Sequence, residues 1–287
     1  LQLSKDILEN KKDTLKIKPK FTIVIIIEQK NFEYIKNTIA SIKEQIYDNY
    51  EILLLSSSTL DDSYFKNNEE NFQDILCITK ISDIQKNSNG DLICFLQSGD
   101  KISKNALFKI TYFINNNPDS DLIYTDHDFF DGNNLRINPF FKPDWSPILF
   151  QSVDYLSTFF IVKKDIFNQM SFDVDSSNMS YSICKEITEK SKKISHIQLP
   201  LCSVNYDNLV SKQNSKHSII SKLDKKILID NTHSISPPKL ETAFDNEPLV
   251  SIIIPTKNNF KILKRCLDSI RRFSSYKNFE IIIVDND

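Results

Sequence analysis

The sequence predicts an α/β fold, a sheet covered by helices, and three observations carry that prediction. The first is a pair of short apolar runs near the end of the chain, Val250 to Ile254 and Phe279 to Val284, which suit strands buried on both faces. The second is what lies between them: Leu263, Leu267 and Ile270 recur at helical spacing with charges in between. The third is that Phe21 to Ser58 repeats the same strand, helix, strand plan. Asn31 aligns with Asn258 at an offset of 258 − 31 = 227. Ile35, Ile39 and Ile42 align with Leu263, Leu267 and Ile270 at 228, and Glu51 with Glu280 at 229. A period of roughly 230 residues is domain-sized rather than a solenoid unit. The expected layout is therefore an N-terminal extension (1–20), a complete domain (21–206), a linker (207–248) and the opening of a second domain (249–287).

Each element follows from local pattern. Residues 1–20 are polar and Lys-rich, with a helix one option before Pro19. Residues 21–27 read as a strand, 32–47 as a helix and 50–55 as a second strand. Residues 56–74 are acidic and Asn-rich, which fits a loop or short helix. Ile75 to Ile81 and Leu92 to Leu96 are further apolar runs, the second preceded by a Gly90-Asp91 turn. Ser103 is placed to cap a helix bearing Leu107, Ile110 and Ile114 on one face, with Pro118 beyond its end. Leu122 to Thr125 reads as a strand running into Asp126-His127-Asp128. Pro255 is expected to end the strand before it.

Composition narrows the function. The chain has 287 residues, 40% of them hydrophobic, enough for a substantial core. A net charge of −2 supplies no basic field for nucleic acid. Five scattered cysteines without a CxxC point to reduced thiols in the cytoplasm, with Cys94 a core residue. No apolar run approaches the 18 or so residues of a membrane span. The start at Leu1 and the stop just after a strand leave open that the sequence is a piece of a longer one, which weakens the lack of a signal peptide as evidence. Three glycines spell neither GxGxxG nor a P-loop.

SIIIPTKN at Ser251 to Asn258, the helix ending LDSI, and EIIIVDND at Glu280 to Asp287 together resemble the start of a family 2 glycosyltransferase of the GT-A fold. DLICFLQSGDKISKNALFKI, NPDSDLIYTDHDFFDG and NPFFKPDWSPILF are similar to a subgroup of tandem-domain bacterial transferases of the rhamnosyltransferase type, which build surface polysaccharides. The resemblance covers nearly everything after residue 20. It implies a mixed, mostly parallel GT-A sheet flanked by helices, followed by the start of a second GT-A domain. It implies a nucleotide-diphospho-sugar donor, a glycan acceptor and a divalent cation, Mg or Mn, for the intact enzyme. It also leaves open peripheral association with the inner face of the membrane. In the second domain Pro255, Asn258, Asp285 and Asn286 would cradle the nucleotide.

Transfer from such a donor needs a cation to offset charge on the diphosphate, carboxylates to hold it, and a base for the acceptor hydroxyl. In the first domain these positions depart from the pattern. The Asp-x-Asp of the metal site falls on Gln97 and Gly99, leaving Asp100 behind them. The proline of the first turn is Glu28, whose charge opposes a diphosphate, although Asn31 remains. The acidic pair after the second strand is Ser56-Ser57, and the base region reads Asn178-Met179-Ser180-Tyr181-Ser182. The expectation is a first domain that keeps the fold without metal-dependent transfer, and so needs no cation of its own.

A displaced metal site built from Asp100, Asp126 and Asp128, with His127 assisting, is the competing reading. Asp and His after a strand are equally ordinary turn residues. Trp145 could stack on a sugar or simply pack. His196, His217 and His233 lack ligand spacing and read as solvated or core-satisfied. Lys222 to Lys226 reads as a solvated helix face, and Phe129-Phe130 and Phe140-Phe141 as packing residues.

Overall fold

A computed structural model of the chain describes residues 15–27, 32–56, 75–130, 135–171, 179–205, 227–230, 239–242 and 247–286. The chain divides into two compact units, Leu1–Leu223 with Ile235–Pro237, and Asp224–Ser234 with Pro238–Asp287.

The first unit is built on β1 (Phe21–Ile27), whose seven residues are all buried. It is flanked by two parallel partners, β2 (Tyr50–Ser56) and β4 (Leu92–Gln97). A strand paired on both sides and covered on both faces must be apolar throughout, and FTIVIII is. The other strands are β3 (Leu76–Ile78), β5 (Lys101–Ile102), β6 (Leu122–Phe130), β7 (Arg136–Phe140), β8 (Phe159–Lys163) and β9 (Ile194–Asn205). The order across the sheet is β3-β2-β1-β4-β8-β6-β9-β5, with β7 paired to β6. β3, β2, β1 and β4 are mutually parallel; β8 runs antiparallel between β4 and β6, and β9 is parallel to β6. This is the mixed, mostly parallel sheet expected.

Strand alternation sends Ile23 and Ile25 to one face, Val24 and Ile26 to the other. On the first face pack Ile35, Ile39 and Ile42 of α1 (Phe32–Lys43) with Leu107, Ile110 and Ile114 of α3 (Ala106–Asn116). On the second lie Phe95, Phe160 and Phe167, with Tyr181 and Ile183 of α6 (Met179–Lys190). Short helices α2 (Ser82–Asn87), α4 (Pro147–Ser152) and α5 (Lys164–Phe167) complete the unit. Cys94 is fully buried, as expected, and burial pushes its thiol pKa upward.

The second unit contains the hairpin β10 (Ile227–Asp230) and β11 (Lys239–Thr242), then β12 (Val250–Thr256), α7 (Phe260–Phe273) and β13 (Phe279–Asp285). β12 and β13 are parallel. The repeat seen in the sequence is atomic. Phe21 pairs with Tyr50 and Val250 with Phe279, both residues shifted by 229. The Tyr47 hydroxyl donates to the Pro19 carbonyl at 2.7 Å, and the Tyr276 hydroxyl to that of Pro248 at 2.5 Å. Asn49 Nδ2 donates to the Lys18 carbonyl, and Asn278 Nδ2 to that of Glu247. Thr22 Oγ1 donates to Glu51 Oε1, and Ser251 Oγ to Glu280 Oε1, each at 2.6 Å. All these pairs are shifted by the same 229 residues. Environment differs: Ile35, Ile39 and Ile42 are buried, whereas Leu263, Leu267 and Ile270 are half-buried.

Several local expectations are corrected. α1 ends at Lys43, not 47, and Tyr47 turns inward to Pro19. Ser103 is not the cap of α3; its N–H is bonded to the Leu201 carbonyl, extending the β5–β9 ladder, and Asn105 takes the cap position. Asp126-His127-Asp128 is not a turn, because β6 runs on through Phe130 beside β9. Pro255 does not end its strand; it pairs with Val284 inside β12, a two-stranded setting that leaves one side free of ladder demands. Phe141 is 69% exposed rather than packed, and Phe140, 41% exposed, packs only one side, its ring 5.2 Å from that of His127. Residues 15–20 form no helix; the Lys16 and Ile17 N–H groups donate to Asn115 Oδ1. The expectations for residues 1–14, 57–74, His217, Lys222 to Lys226 and His233 lie outside the described residues. No helix among the described residues is long and apolar enough to cross a membrane.

Candidate functional site

In a mixed sheet of this kind the ligand edge is set by the carboxyl ends of the parallel strands. β1, β2 and β4 present Ile27, Ser56 and Gln97 there. The chain after β4 turns back at once. Ser98 N–H donates to the Ile26 carbonyl at 2.9 Å, and Asp100 N–H to that of Gln97 at 3.0 Å. Thr38 of α1 stitches the turn, its hydroxyl accepting from Gly99 N–H at 2.9 Å and donating to the Asp100 carbonyl at 2.8 Å. Gly99 has a φ of 99°, a region that L side chains rarely occupy. The backbone at this position suits glycine, not the aspartate that a metal motif would place there.

The three carboxylates of the displaced-site reading are spent on protein. Asp100 is fully buried, and its Oδ1 accepts from Asn205 N–H at 3.0 Å. Asp126 Oδ1 accepts from Lys142 N–H and meets His196 Nε2, both at 2.8 Å. Asp128 pairs with Arg136 Nε at 2.6 Å and accepts from the Ser203 hydroxyl at 2.5 Å. Among the described residues no three His, Cys, Asp or Glu side chains could together hold a metal ion. Asp100, Asp126 and Asp128 therefore do not come together as a divalent-cation site. Ser56 ends β2, buried; Glu28, Asn31, Ser57 and Asn178 lie outside the described residues. Ser180, in the expected base region, donates its hydroxyl to the Ser157 carbonyl at 2.6 Å.

Two residues that the sequence did not single out as a pair lie beside this edge. His196 is core-satisfied, as one option had it: its ring stacks on Tyr124 at 4.6 Å between centroids and lies between Asp126 and Asp144. Lys142 is the surprise. Its residue is 6% exposed, and its Nζ has no hydrogen-bond partner among the described residues. Burial drives its pKa down to about 8, against the opposing influence of Cys202, Asp154, Asp126 and Cys184. A buried ammonium cannot be read from FFKPDWSP, because the motif does not say which way the side chain turns. Trp145 is partly buried and packs at 5.6 Å from Phe150.

In the second unit the register pairs Thr256 with Asp285, so Pro255, Asn258, Asp285 and Asn286 gather at the carboxyl ends of two parallel strands. Asn286 N–H donates to the Thr256 carbonyl at 2.8 Å. Asn258 holds a left-handed φ of 48°, which asparagine tolerates, and Asn259 caps α7 by accepting from Ile262 N–H.

The structure of S. aureus TarS 1–349 in complex with UDP-GlcNAc superposes with a TM-score of 0.50 over 65% of this chain and 58% of that one, at 14% identity. The fold is GT-A. Residues 251–287, Asn258 and Asp285 among them, match the model of glycosyl transferase family 2. The chain is 24% identical over 94% of its length to the O-antigen biosynthesis protein RfbC of Myxococcus xanthus, covering 23% of that protein. It is 25% identical over 69% of its length to the uncharacterized protein y4gI of Sinorhizobium fredii, covering 24% of it. The chain thus spans about a quarter of the length of these curated relatives. Its similarity to the family 2 glycosyl transferases thus lies in residues 251–287, and its fold is GT-A.

Proposed function

We propose that the polypeptide carrying these residues transfers a sugar from a nucleotide-diphospho-sugar to a growing surface glycan, with the chemistry in the unit that residues 249–287 open. The supporting observation is a contrast between two copies of one structure. The second copy carries the family 2 match and keeps Asn258, Asp285 and Asn286 at the strand ends. The first has glycine at φ 99° where a metal carboxylate belongs, and Asp100, Asp126 and Asp128 are bound to protein. The first unit serves as an acceptor-binding or scaffold module. A divalent cation, Mg or Mn, works in the transferring unit, and the relative's role in O-antigen biosynthesis suggests a bacterial surface glycan as the product. Work at the inner face of the membrane by a protein held there peripherally suits such a glycan.

The test is transfer by the polypeptide that carries these residues. Asp285→Ala is expected to lower transfer by about 100-fold, the upper end for loss of a group that positions a metal or its ligands. Gln97→Ala is expected to leave it within about twofold. The reverse pattern would move the chemistry to the first unit.

A further inference from the structure

We propose that the cleft between α3 and β9 is a binding site for a monocarboxylate with an unbranched apolar tail, and that the ammonium of Lys109 receives the carboxylate. The inference goes beyond the transfer reading and does not depend on it.

The cleft comes from an irregularity in β9. Leu122 to Thr125 of β6 lie opposite Ile194 to Ile197, but the next residue, Asp126, lies opposite Pro200. Gln198 and Leu199 are therefore extra residues that bulge out of the ladder. The bulge is pinned just beyond, where the Pro200 carbonyl accepts from Arg136 Nη2 and the Leu201 carbonyl from Ser103 N–H, both at 2.9 Å. Leu199 and Tyr112 of α3 form the exposed walls. Phe108 and Ile197, both buried, and the partly buried Phe113 form the rest of the apolar lining. The cleft holds about 400 Å³, within the roughly 300–1,000 Å³ of small-ligand sites. Its far end, at Asn117, lies where the chain approaches the amino end of β6, away from the carboxyl ends of β1, β2 and β4.

Shape and charge together select the ligand. The lining residues of α3 and its C-cap run from Phe108 to Asn117, about 14 Å at the rise of a helix. Dividing the volume by that length leaves a cross-section of about 29 Å², roughly a third of that of an α-helix. A single chain fits and a partner helix does not. Lys109 stands half-buried at one end. Burial lowers its pKa, the Arg136 guanidinium lowers it further, and no carboxylate offsets either. Arg136 itself is taken by Asp128 at 2.6 Å and by the Pro200 carbonyl. One ammonium thus awaits one negative charge. At the other end Asn116 and Asn117 turn their amide groups to the carbonyls of Tyr112 and Phe113, at 2.8 and 3.0 Å, and bring no charge. A dianion would leave its second charge among carbon walls, which is strongly disfavoured. A carboxylate at Lys109 with an apolar tail running toward Asn117 meets every wall with its like.

Calorimetric titration of the 287-residue chain with butanoate, hexanoate, octanoate and neutral octanol tests the site. Octanoate is expected to bind, with affinity rising about fourfold for each methylene added from butanoate, the worth of a buried CH₂. Lys109→Met is expected to weaken octanoate at least tenfold and to leave octanol within about twofold, a split that loss of the cleft's shape would not produce. Leu199→Trp, which fills the cleft from its exposed wall, is expected to weaken both at least tenfold. Absence of octanoate binding by the folded wild type, affinity independent of tail length, or octanoate binding unchanged by either substitution overturns the proposal. So does equal loss of octanoate and octanol in Lys109→Met. Sedimentation showing a wild-type dimer that Leu199→Trp dissociates would make a second copy of the chain the occupant and overturn it as well. None of these outcomes bears on transfer, which Asp285→Ala and Gln97→Ala test separately.

Discussion

Gly99 sets the turn after β4 through one dihedral. An aspartate there would meet a φ of 99° that its own Cβ resists. Gly99→Asp is expected to cost about 1–3 kcal/mol, read from the denaturant midpoint, and to confer no Mn²⁺-dependent rise in Tm. Glu51 shows the opposite, a charge well served. Burial alone would raise its pKa, but Lys20 at 2.7 Å, the Thr22 hydroxyl and the Asn89 N–H outweigh burial and hold it at about 2. Gly90 makes that arrangement possible, since a Cβ there would lie 2.5 Å from Thr22 N. A depressed carboxylate pKa stabilises the fold at pH above its unfolded value of 4.5, and the contribution is lost as pH falls from there through about 2. Glu51→Gln is expected to lower stability at pH 7 by about 1 kcal/mol after solvent screening, and to flatten the acid limb of the Tm–pH curve between those values.

At the scale of elements, the duplicated strand–helix–strand piece is a controlled comparison within one chain. Tyr47 and Tyr276 make the same hydrogen bond, one buried and one exposed. Tyr47→Phe is expected to cost about 1 kcal/mol, because the Pro19 carbonyl loses its partner out of water, and Tyr276→Phe less than about 0.5 kcal/mol, because water replaces it; chemical denaturation of both variants checks the ranking. The repeat was legible because apolar spacing survives wherever a helix must cover a strand. β6 was misjudged at its end for a related reason. Asp126, His127 and Asp128 look like turn residues by type, yet β9 runs alongside and serves the strand's backbone, while His196, Arg136 and Ser203 satisfy the carboxylates. Those partners lie 8 to 75 residues away in the chain, beyond any local pattern.

Across the whole molecule, the two copies of one ladder sit in unequal surroundings. β1 is buried along its length between two partners; β12 has one partner and leaves Ile253 63% exposed. A two-stranded ladder with a half-buried helix opens at low cost. Hydrogen exchange of the 287-residue chain is expected to be slower in residues 21–27 than in 250–256, and equal rates would contradict the difference in burial. The proposed division of labour also belongs to this scale: transfer by the polypeptide should be lost in EDTA and restored by Mn²⁺.

The sequence alone determined the α/β class, a repeat of roughly 230 residues, the buried strand at 21–27 and the family resemblance, because each rests on periodicity or on short runs whose neighbours in space are neighbours in sequence; the runs at 250–254 and 279–284, expected to be buried on both faces, are instead largely exposed because each has one strand partner and little cover. Only the tertiary structure decided that Asp100, Asp126 and Asp128 are committed to protein partners, that Gly99 stands at a dihedral unsuited to aspartate, and that Lys142 turns its ammonium inward. Those are questions of which way a side chain points and what awaits it, and long-range packing between β4, β6, β8 and β9 answers them.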